Sequence, residues 1–293
     1  MSKRRTLLRR TCSTLVLWAL VTVALLLSEG WLFFLILGGI SLLGLWEYLL
    51  MLGPQVPSPL RVFSFLSGLL YLGAMYAWLH LTGDPVVGQL DTGMLVLLMI
   101  GAFIFQLSGR FREERSIWDV MHSVFAVLYT CFLFNFATRL LYLPKVEEVG
   151  ATSGQLYILF LLVATKFTDM GAFLTGMAFG RTKMSPSISP KKTWEGFAGS
   201  IVFGVLGGAL IYWIFQDRLW GMTWLHVFVM GLLISLMAVV GDLAESMMKR
   251  TLQVKDSGGV LPGIGGVLDL IDSICFTAPL MYFYLQLFVF RYV

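Results

Sequence analysis

Residues 196–215 read GFAGSIVFGVLGGALIYWIF, a run of 20 positions without a charged side chain. An α-helix of that length spans about 30 Å, which is the thickness of the hydrocarbon core of a bilayer. The rest of the chain suits the same environment, because 58% of its 293 residues are hydrophobic and only 13% are charged. A soluble domain carries about 25% charged residues, so the composition predicts an integral membrane protein.

Other apolar runs of similar length follow one another along the chain. They are continuous rather than alternating, which predicts helices and not barrel strands. The nine candidate spans lie near 12–28, 31–52, 60–82, 91–108, 118–140, 155–179, 196–215, 224–248 and 267–290. No cleavage motif follows the first run, so it is expected to be a membrane helix rather than a signal peptide. The predicted fold class is all-α, a polytopic transmembrane helical bundle of about nine spans.

The basic residues indicate how these spans are oriented. With nine alternating spans and the N-terminus in the cytoplasm, 16 of the 21 basic residues fall on the inner side. The outer segments hold only Arg139, Lys145, Arg218 and Arg291. This distribution follows the positive-inside rule, so we expect a cytoplasmic N-terminus. It also places the polar loops 180–195 and 249–266 together on the cytoplasmic face.

A few ionisable side chains lie within apolar runs, where each costs about 2.5–3.5 kcal/mol on insertion scales. In the N-terminal half the chief example is Glu47, which lies beside Trp46 and Tyr48. We expect Glu47 to be structural and close to a membrane interface. In the sixth span, Lys166 and Asp169 form either a buried structural pair or part of a site.

Four acids flank the loop 249–266. Asp242 and Glu245 stand three residues apart before it, and Asp269 and Asp272 stand three apart after it. Each pair therefore shares a helix face. Converging carboxylates repel one another unless a cation lies between them, and oxygen ligands favour a hard ion such as Mg²⁺. The pattern predicts a divalent metal site whose main ligands are Asp242, Asp269 and Asp272.

The two polar loops have the composition of a phosphate site. The stretch KRTLQVKDSGGVLPGIGG at 249–266 holds five glycines, whose backbone amides can approach an anion closely. The candidate phosphate contacts in the two loops are Lys191, Lys192, Lys249, Arg250 and Lys255, with hydrogen bonds from Ser189 and Thr193. The alternative is that the basic loops only set topology or attract anionic lipid.

Three blocks of sequence resemble the phosphatidate cytidylyltransferases, or CDP-diacylglycerol synthases. The blocks are TDMGAFLTGMAFG at 168–180, SPKKTWEG at 189–196 and GDLAESMMKRTLQVKDSGGVLPGIGGVLDLID at 241–272. The resemblance implies a nucleotidyltransferase of phospholipid biosynthesis, which converts CTP and phosphatidate to CDP-diacylglycerol and pyrophosphate. It also implies dependence on Mg²⁺, with K⁺ as an optional second ion, and a homodimer.

The resemblance assigns roles to particular residues. It implies metal binding by Asp242, Asp269 and Asp272. It implies contacts to the substrate phosphates by Ser189, Lys191, Lys192, Lys249, Arg250, Lys255 and Asp256. We count Lys255 with the three aspartates as catalytic, and Thr193, Glu245 and Asp169 as further substrate-binding candidates. Two positions depart from the common pattern of these enzymes, Ile264 where histidine is frequent and Leu270 where arginine is frequent.

The sequence therefore assigns the chemistry to one half of the chain. Residues 1–150 are predicted to be an N-terminal membrane-helix region, and residues 151–293 a catalytic membrane region with two cytoplasmic polar loops. The expected location is the cell inner membrane, with the active site facing the cytoplasm. The expected partners are CTP, phosphatidate and membrane lipid, and no nucleic acid.

Three other functions stay open at this point. Intramembrane charges also occur in ion-coupled transporters. A CTP-dependent lipid kinase on a related scaffold would need a similar phosphate site. The departures at Ile264 and Leu270 suggest a third alternative, an inactive scaffold.

Overall fold

The computed structural model describes most of the chain as two compact units. The described residues are 30–53, 56–84, 86–109, 113–143, 153–254, 257–258 and 265–290. The first unit is formed from Met1–Asn135 and Asp256–Asp269, and the second from Phe136–Lys255 and Leu270–Val293. The predicted division at residue 150 is a functional one and stays a prediction.

The first unit is built from long apolar helices. They are α1 at Gly30–Leu52, α2 at Ser58–Thr82, α3 at Gly88–Leu107 and α4 at Glu114–Val127, which continues into a π-helical turn at Leu128–Leu133. Helix α2 packs against the other three. It ends at Gly83, whose φ of +65° is a left-handed conformation that glycine adopts readily and whose N–H donates to Leu79.

The second unit begins with two short helical pieces and continues with the longest helices of the chain. The short pieces are α5 at Phe136–Arg139 and a 3₁₀ turn at Leu140–Tyr142. The long helices are α6 at Ser153–Phe179, α7 at Trp194–Phe215, α8 at Trp224–Thr251 and α9 at Leu268–Tyr284, which continues into a π-helical turn at Leu285–Val289. Two strands, β1 at Lys183–Ser185 and β2 at Ser189–Thr193, form an antiparallel hairpin between α6 and α7.

Small residues allow α6 and α7 to pack closely. A Cβ on Gly199 would lie 2.0 Å from the hydroxyl oxygen of Thr175, and a Cβ on Gly171 would lie 2.6 Å from the carbonyl oxygen of Gly199. Buried hydroxyls also link α6 to α8, because the hydroxyl oxygens of Thr168 and Ser235 lie 3.1 Å apart. Close packing and interhelical hydrogen bonds hold membrane helices together in the absence of a hydrophobic driving force between them.

The described helices confirm the predicted fold class. Eight of them are long and apolar enough to cross a membrane, and the fourth of these runs from Arg115 to Tyr142 through the π-helical turn. The remaining predicted span, 12–28, lies outside the described residues. Large apolar side chains such as Trp213 and Leu97 are exposed on the outer faces of the helices, as a lipid environment permits. The chain is an integral membrane protein.

Candidate active site

The close approach of α8 and α9 in the second unit creates the site. Gly241 faces the backbone of α9, and a Cβ there would lie 2.7 Å from the carbonyl oxygen of Asp272 and 2.9 Å from Cα of Ser273. A hydrogen bond supports the same contact, since the Ser273 hydroxyl donates to the carbonyl of Ala238 at 3.3 Å. Only glycine fits at position 241, and the next residue along the chain is therefore held beside α9.

Three acids meet where these helices approach. Asp242, Glu245 and Asp272 each offer a carboxyl oxygen, and the three oxygens lie within 4.8 Å of one another. Asp242 and Glu245 are on successive turns of one face of α8, as their spacing predicts. Glu245 and Asp272 are buried, whereas Asp242 is half-buried. The cluster therefore has an accessible side and a shielded side.

Two lysines from different elements contact this cluster. The ammonium group of Lys192, on β2, lies 2.8 Å from a carboxyl oxygen of Asp242. Lys249 follows Glu245 by one turn of α8, and its ammonium group lies 2.5 Å from a carboxyl oxygen of Glu245. Acids in such proximity repel unless positive charge is nearby. The lysines balance part of the negative charge that the cluster gathers.

The hairpin is held in place by contacts at both its ends. Nε of Arg250, near the end of α8, donates to the carbonyl of Ile188 at 3.5 Å. At the other end Thr193 is the N-cap of α7, because its hydroxyl accepts from the N–H of Gly196 at 3.1 Å. The carboxyl group of Glu195 accepts from the backbone N–H groups of Arg181 and Thr182. The hairpin therefore lies beside α8 and carries Lys192 to the acids.

A second charged pair lies on α6. Lys166 and Asp169 form the predicted pair, with 3.4 Å between their charged atoms. Asp169 also interacts through its charge with Asp242 and Lys192. The pair thus belongs to the electrostatic surroundings of the acid cluster as well as to the packing of α6.

The structure describes only some of the remaining predicted site residues. Ser189 is half-buried and Lys191 is exposed, both on β2. Lys255 and Asp256 lie outside the described residues, so their roles stay predictions. Asp269 belongs to the first unit, where its carboxyl group accepts from the N–H of Gly266 at 3.2 Å. Its predicted role as a metal ligand also stays a prediction.

One residue of the first unit has a more specific place than the sequence indicated. Glu47 is only 1% exposed, and its carboxyl group accepts from the N–H of Leu268 at 2.9 Å. The sequence marks Glu47 as an ionisable residue within an apolar run but gives no sign of this partner, which lies 221 residues away.

The acid cluster fits a hard divalent cation. All of its ligand atoms are carboxyl oxygens, which Mg²⁺ prefers over nitrogen and sulfur. Asp242 and Glu245 approach from α8, and Asp272 approaches from α9. Asp242, Glu245 and Asp272 are therefore the residues that would hold such an ion. The predicted substrate-binding role of Glu245 stays a prediction, and its carboxyl group lies beside those of Asp242 and Asp272.

Several known proteins are similar to this chain over most of its length. A model of the cytidylyltransferase family matches residues 8–288. A phosphatidate cytidylyltransferase of Synechocystis is 32% identical over 289 residues, which cover 90% of this chain and 92% of that protein. Another from Haemophilus influenzae is 30% identical, covering 94% of this chain and 98% of that protein. One from Bacillus subtilis is 30% identical over 74% of each chain. Because the family model spans nearly the whole chain, this protein belongs to the cytidylyltransferase family, as the resemblance predicted.

Proposed function

We propose that this protein transfers the cytidylyl group of CTP to phosphatidate, giving CDP-diacylglycerol and pyrophosphate. The observation that carries the proposal is the cluster of Asp242, Glu245 and Asp272, contacted by two lysines, in a chain of this family. The relatives named above are phosphatidate cytidylyltransferases, and they match this chain through its membrane helices as well as its polar segments.

The main obstacle to this reaction is electrostatic, because both substrates are polyanions. Lys192 and Lys249 are suited to reduce the repulsion between them. Each ammonium group has three donors, so it can keep its carboxyl contact and still donate to a phosphate oxygen. Lys191 and Arg250, both exposed, would add positive charge where the nucleotide enters. Steering by exposed charge raises the rate at which an anionic substrate arrives.

We propose Mg²⁺ as the cofactor, held by Asp242, Glu245 and Asp272, with Asp269 as a further ligand and K⁺ as an optional second ion. When bound by these acids, the ion would supply positive charge that stabilises the negative charge developing on the phosphates in the transition state. The fit of an all-oxygen donor set to this ion supports the assignment.

The reaction needs no nucleophile from the protein. An oxygen of the phosphatidate phosphate is anionic at neutral pH and attacks the α-phosphorus of CTP. A new P–O bond forms as the bond between the α-phosphorus and the bridging oxygen to the β-phosphate breaks. The leaving pyrophosphate carries away the electron pair. The protein contributes position and charge, with Lys192 and Lys249 holding the two phosphates in line.

The charged residues also bear on where the enzyme would work. The distribution of basic residues supports an active site that faces the cytoplasm, where CTP is available. We further propose the cell inner membrane as its location and a homodimer as its assembly. Phosphatidate would enter from the bilayer.

Purified protein in lipid nanodiscs, supplied with labelled CTP, phosphatidate and Mg²⁺, tests the function. We expect labelled CDP-lipid and pyrophosphate in equal amounts, and loss of both on addition of EDTA. Phosphorylated lipid alcohol with CDP would indicate a kinase instead, and solute flux without CTP consumption would indicate a transporter.

A pair of variants tests the acid cluster within this assay. Asp272→Asn is expected to lower turnover by about 10²-fold or more, because it removes one charged ligand from the ion that stabilises the transition state. Asp91→Asn is the matched control, since Asp91 is a half-buried acid on α3 that accepts from the hydroxyl of Tyr71 at 3.0 Å. Equal activity in the two variants would contradict the assignment of Asp272.

A further inference from the structure

Glu47 occupies an unusual position for an acid on a membrane helix. It lies on α1, within one of the apolar segments long enough to cross a bilayer, and is 1% exposed. Its carboxyl group accepts from the backbone N–H of Leu268, the first residue of α9, at 2.9 Å. The first N–H groups of a helix have no partner within it. Glu47 therefore acts as a cap supplied from a distant part of the chain.

The polypeptide around this contact is fitted to the carboxyl group. A Cβ on Gly258 would lie 2.3 Å from one carboxyl oxygen of Glu47, and a Cβ on Gly266 would lie 2.7 Å from the other. Gly266 would also meet the hydroxyl of Ser257 at 1.9 Å. A larger residue at either position would require the Glu47 carboxyl group or the Ser257 hydroxyl to shift. Gly258 and Gly266, two residues of the segment between α8 and α9, thus lie close to Glu47.

A second bond fixes the same turn. The N–H of Gly266 donates to the carboxyl group of Asp269 at 3.2 Å. Gly266 therefore lies close to two acids. Glu47, on α1, accepts from the first residue of α9, and Asp269 belongs to the first turn of α9 itself. Asp269 directly follows Leu268, whose N–H donates to Glu47, in the first turn of α9.

We propose that Glu47 is a positioning residue for the transfer reaction, which fixes the start of α9 so that Asp269 is correctly directed. This inference rests on the proposed function. Negative charge near a helix N-terminus is favourable because the helix dipole is positive there. The N-terminal half of the chain then contributes to the chemistry through one buried contact as well as by spanning the membrane.

Three variants in the nanodisc preparation test the proposal. Glu47→Ala removes the acceptor, and Glu47→Gln keeps a carbonyl oxygen that can accept from Leu268. Ser41→Ala is the matched control, because Ser41 lies on the same helix, is buried and donates to the carbonyl of Thr130 at 2.8 Å. The first measurement is hydrogen–deuterium exchange of the peptide that contains the Leu268 amide, without substrates. The second is kcat/KM for CTP.

We expect Glu47→Ala to accelerate exchange at this peptide and to lower kcat/KM by about tenfold to 10²-fold, since displacement of about 1 Å at a reacting centre can cost that much. Glu47→Gln should keep both the exchange rate and kcat/KM close to the wild-type values, and Ser41→Ala should alter neither. A loss of kcat/KM in Ser41→Ala equal to that in Glu47→Ala would overturn the positioning role, as would equal losses in the two Glu47 variants. Exchange is measured without turnover, so an inactive wild-type protein would refute the proposed function and leave the Glu47 contact separately tested.

Discussion

Replacement of Gly241 by alanine tests how the acid cluster is assembled. The new Cβ would lie 2.7 Å from the carbonyl oxygen of Asp272 and 2.9 Å from Cα of Ser273, and both are backbone atoms that cannot rotate away. Real Cβ contacts shorter than 3.0 Å essentially do not occur, so α8 and α9 must separate by about 0.3 Å or more.

The cost of this separation falls more on activity than on stability. Overpacking of this kind destabilises by about 1–3 kcal/mol, and alanine recovers about 1 kcal/mol through its better helix propensity. The net loss in the free energy of unfolding is thus about 0–2 kcal/mol. The atoms displaced, however, belong to Asp272 or adjoin Asp242. Because a misplacement of about 1 Å can reduce a rate about 10²-fold, we expect kcat/KM to fall about tenfold.

The assay is CTP incorporation into lipid across a Mg²⁺ titration, with thermal unfolding of the same preparation. Gly241→Ala should need more Mg²⁺ for half-maximal activity, because the acids would be further apart. Gly73→Ala is the matched control, since Gly73 lies on α2 and a Cβ there would meet nothing within 4 Å. That variant should keep its activity and unfold at the same or a higher temperature. A wild-type rate and Mg²⁺ dependence in Gly241→Ala would refute the argument that the contact of these helices sets the cluster.

Substitutions at two further residues test the charges around the cluster. Asp269→Asn should abolish turnover while the protein still inserts and unfolds at nearly the wild-type temperature, because the asparagine carbonyl can still accept from Gly266; undiminished CTP incorporation would remove Asp269 from the metal site. Lys192→Ala should lower kcat/KM for CTP about tenfold, since one charge-assisted hydrogen bond is worth about 1.5–3 kcal/mol before screening by solvent. Lys192→Arg keeps the charge and should retain more activity than Lys192→Ala; equal losses would show that the charge is not what Lys192 supplies.

The membrane helices and two of the three acids in the cluster are predictable from sequence because they depend on local properties. Length and hydropathy decide whether a segment can cross a bilayer, and the described helices agree with eight of the predicted spans. The three-residue spacing of Asp242 and Glu245 fixes their common face through helix geometry alone. The convergence of Asp272 on that face followed only as a hypothesis, since it needs α9 to pack beside α8.

The contacts that the sequence could not supply join residues that are distant along the chain. Glu47 and Leu268 are separated by 221 residues, and no local pattern connects them. The pairing of Lys192 with Asp242 depends on the β1–β2 hairpin, whose strands of three and five residues are too short to show an alternating pattern. Tertiary packing decides both contacts, and a single sequence carries little information about it.

Helix geometry bears on whether the departure at Leu270 disables the enzyme. Successive residues of an α-helix are turned by about 100°, so Asp269 and Asp272 share a face of α9 while Leu270 points away from Asp272. Leucine at this position therefore removes no cation from the face that carries the acids. The positive charge at the cluster comes from other elements instead, with Lys192 from β2 and Lys249 from α8. Since the three acids and the two lysines that contact them are present without an arginine at position 270, the arrangement favours an active transferase over an inactive scaffold.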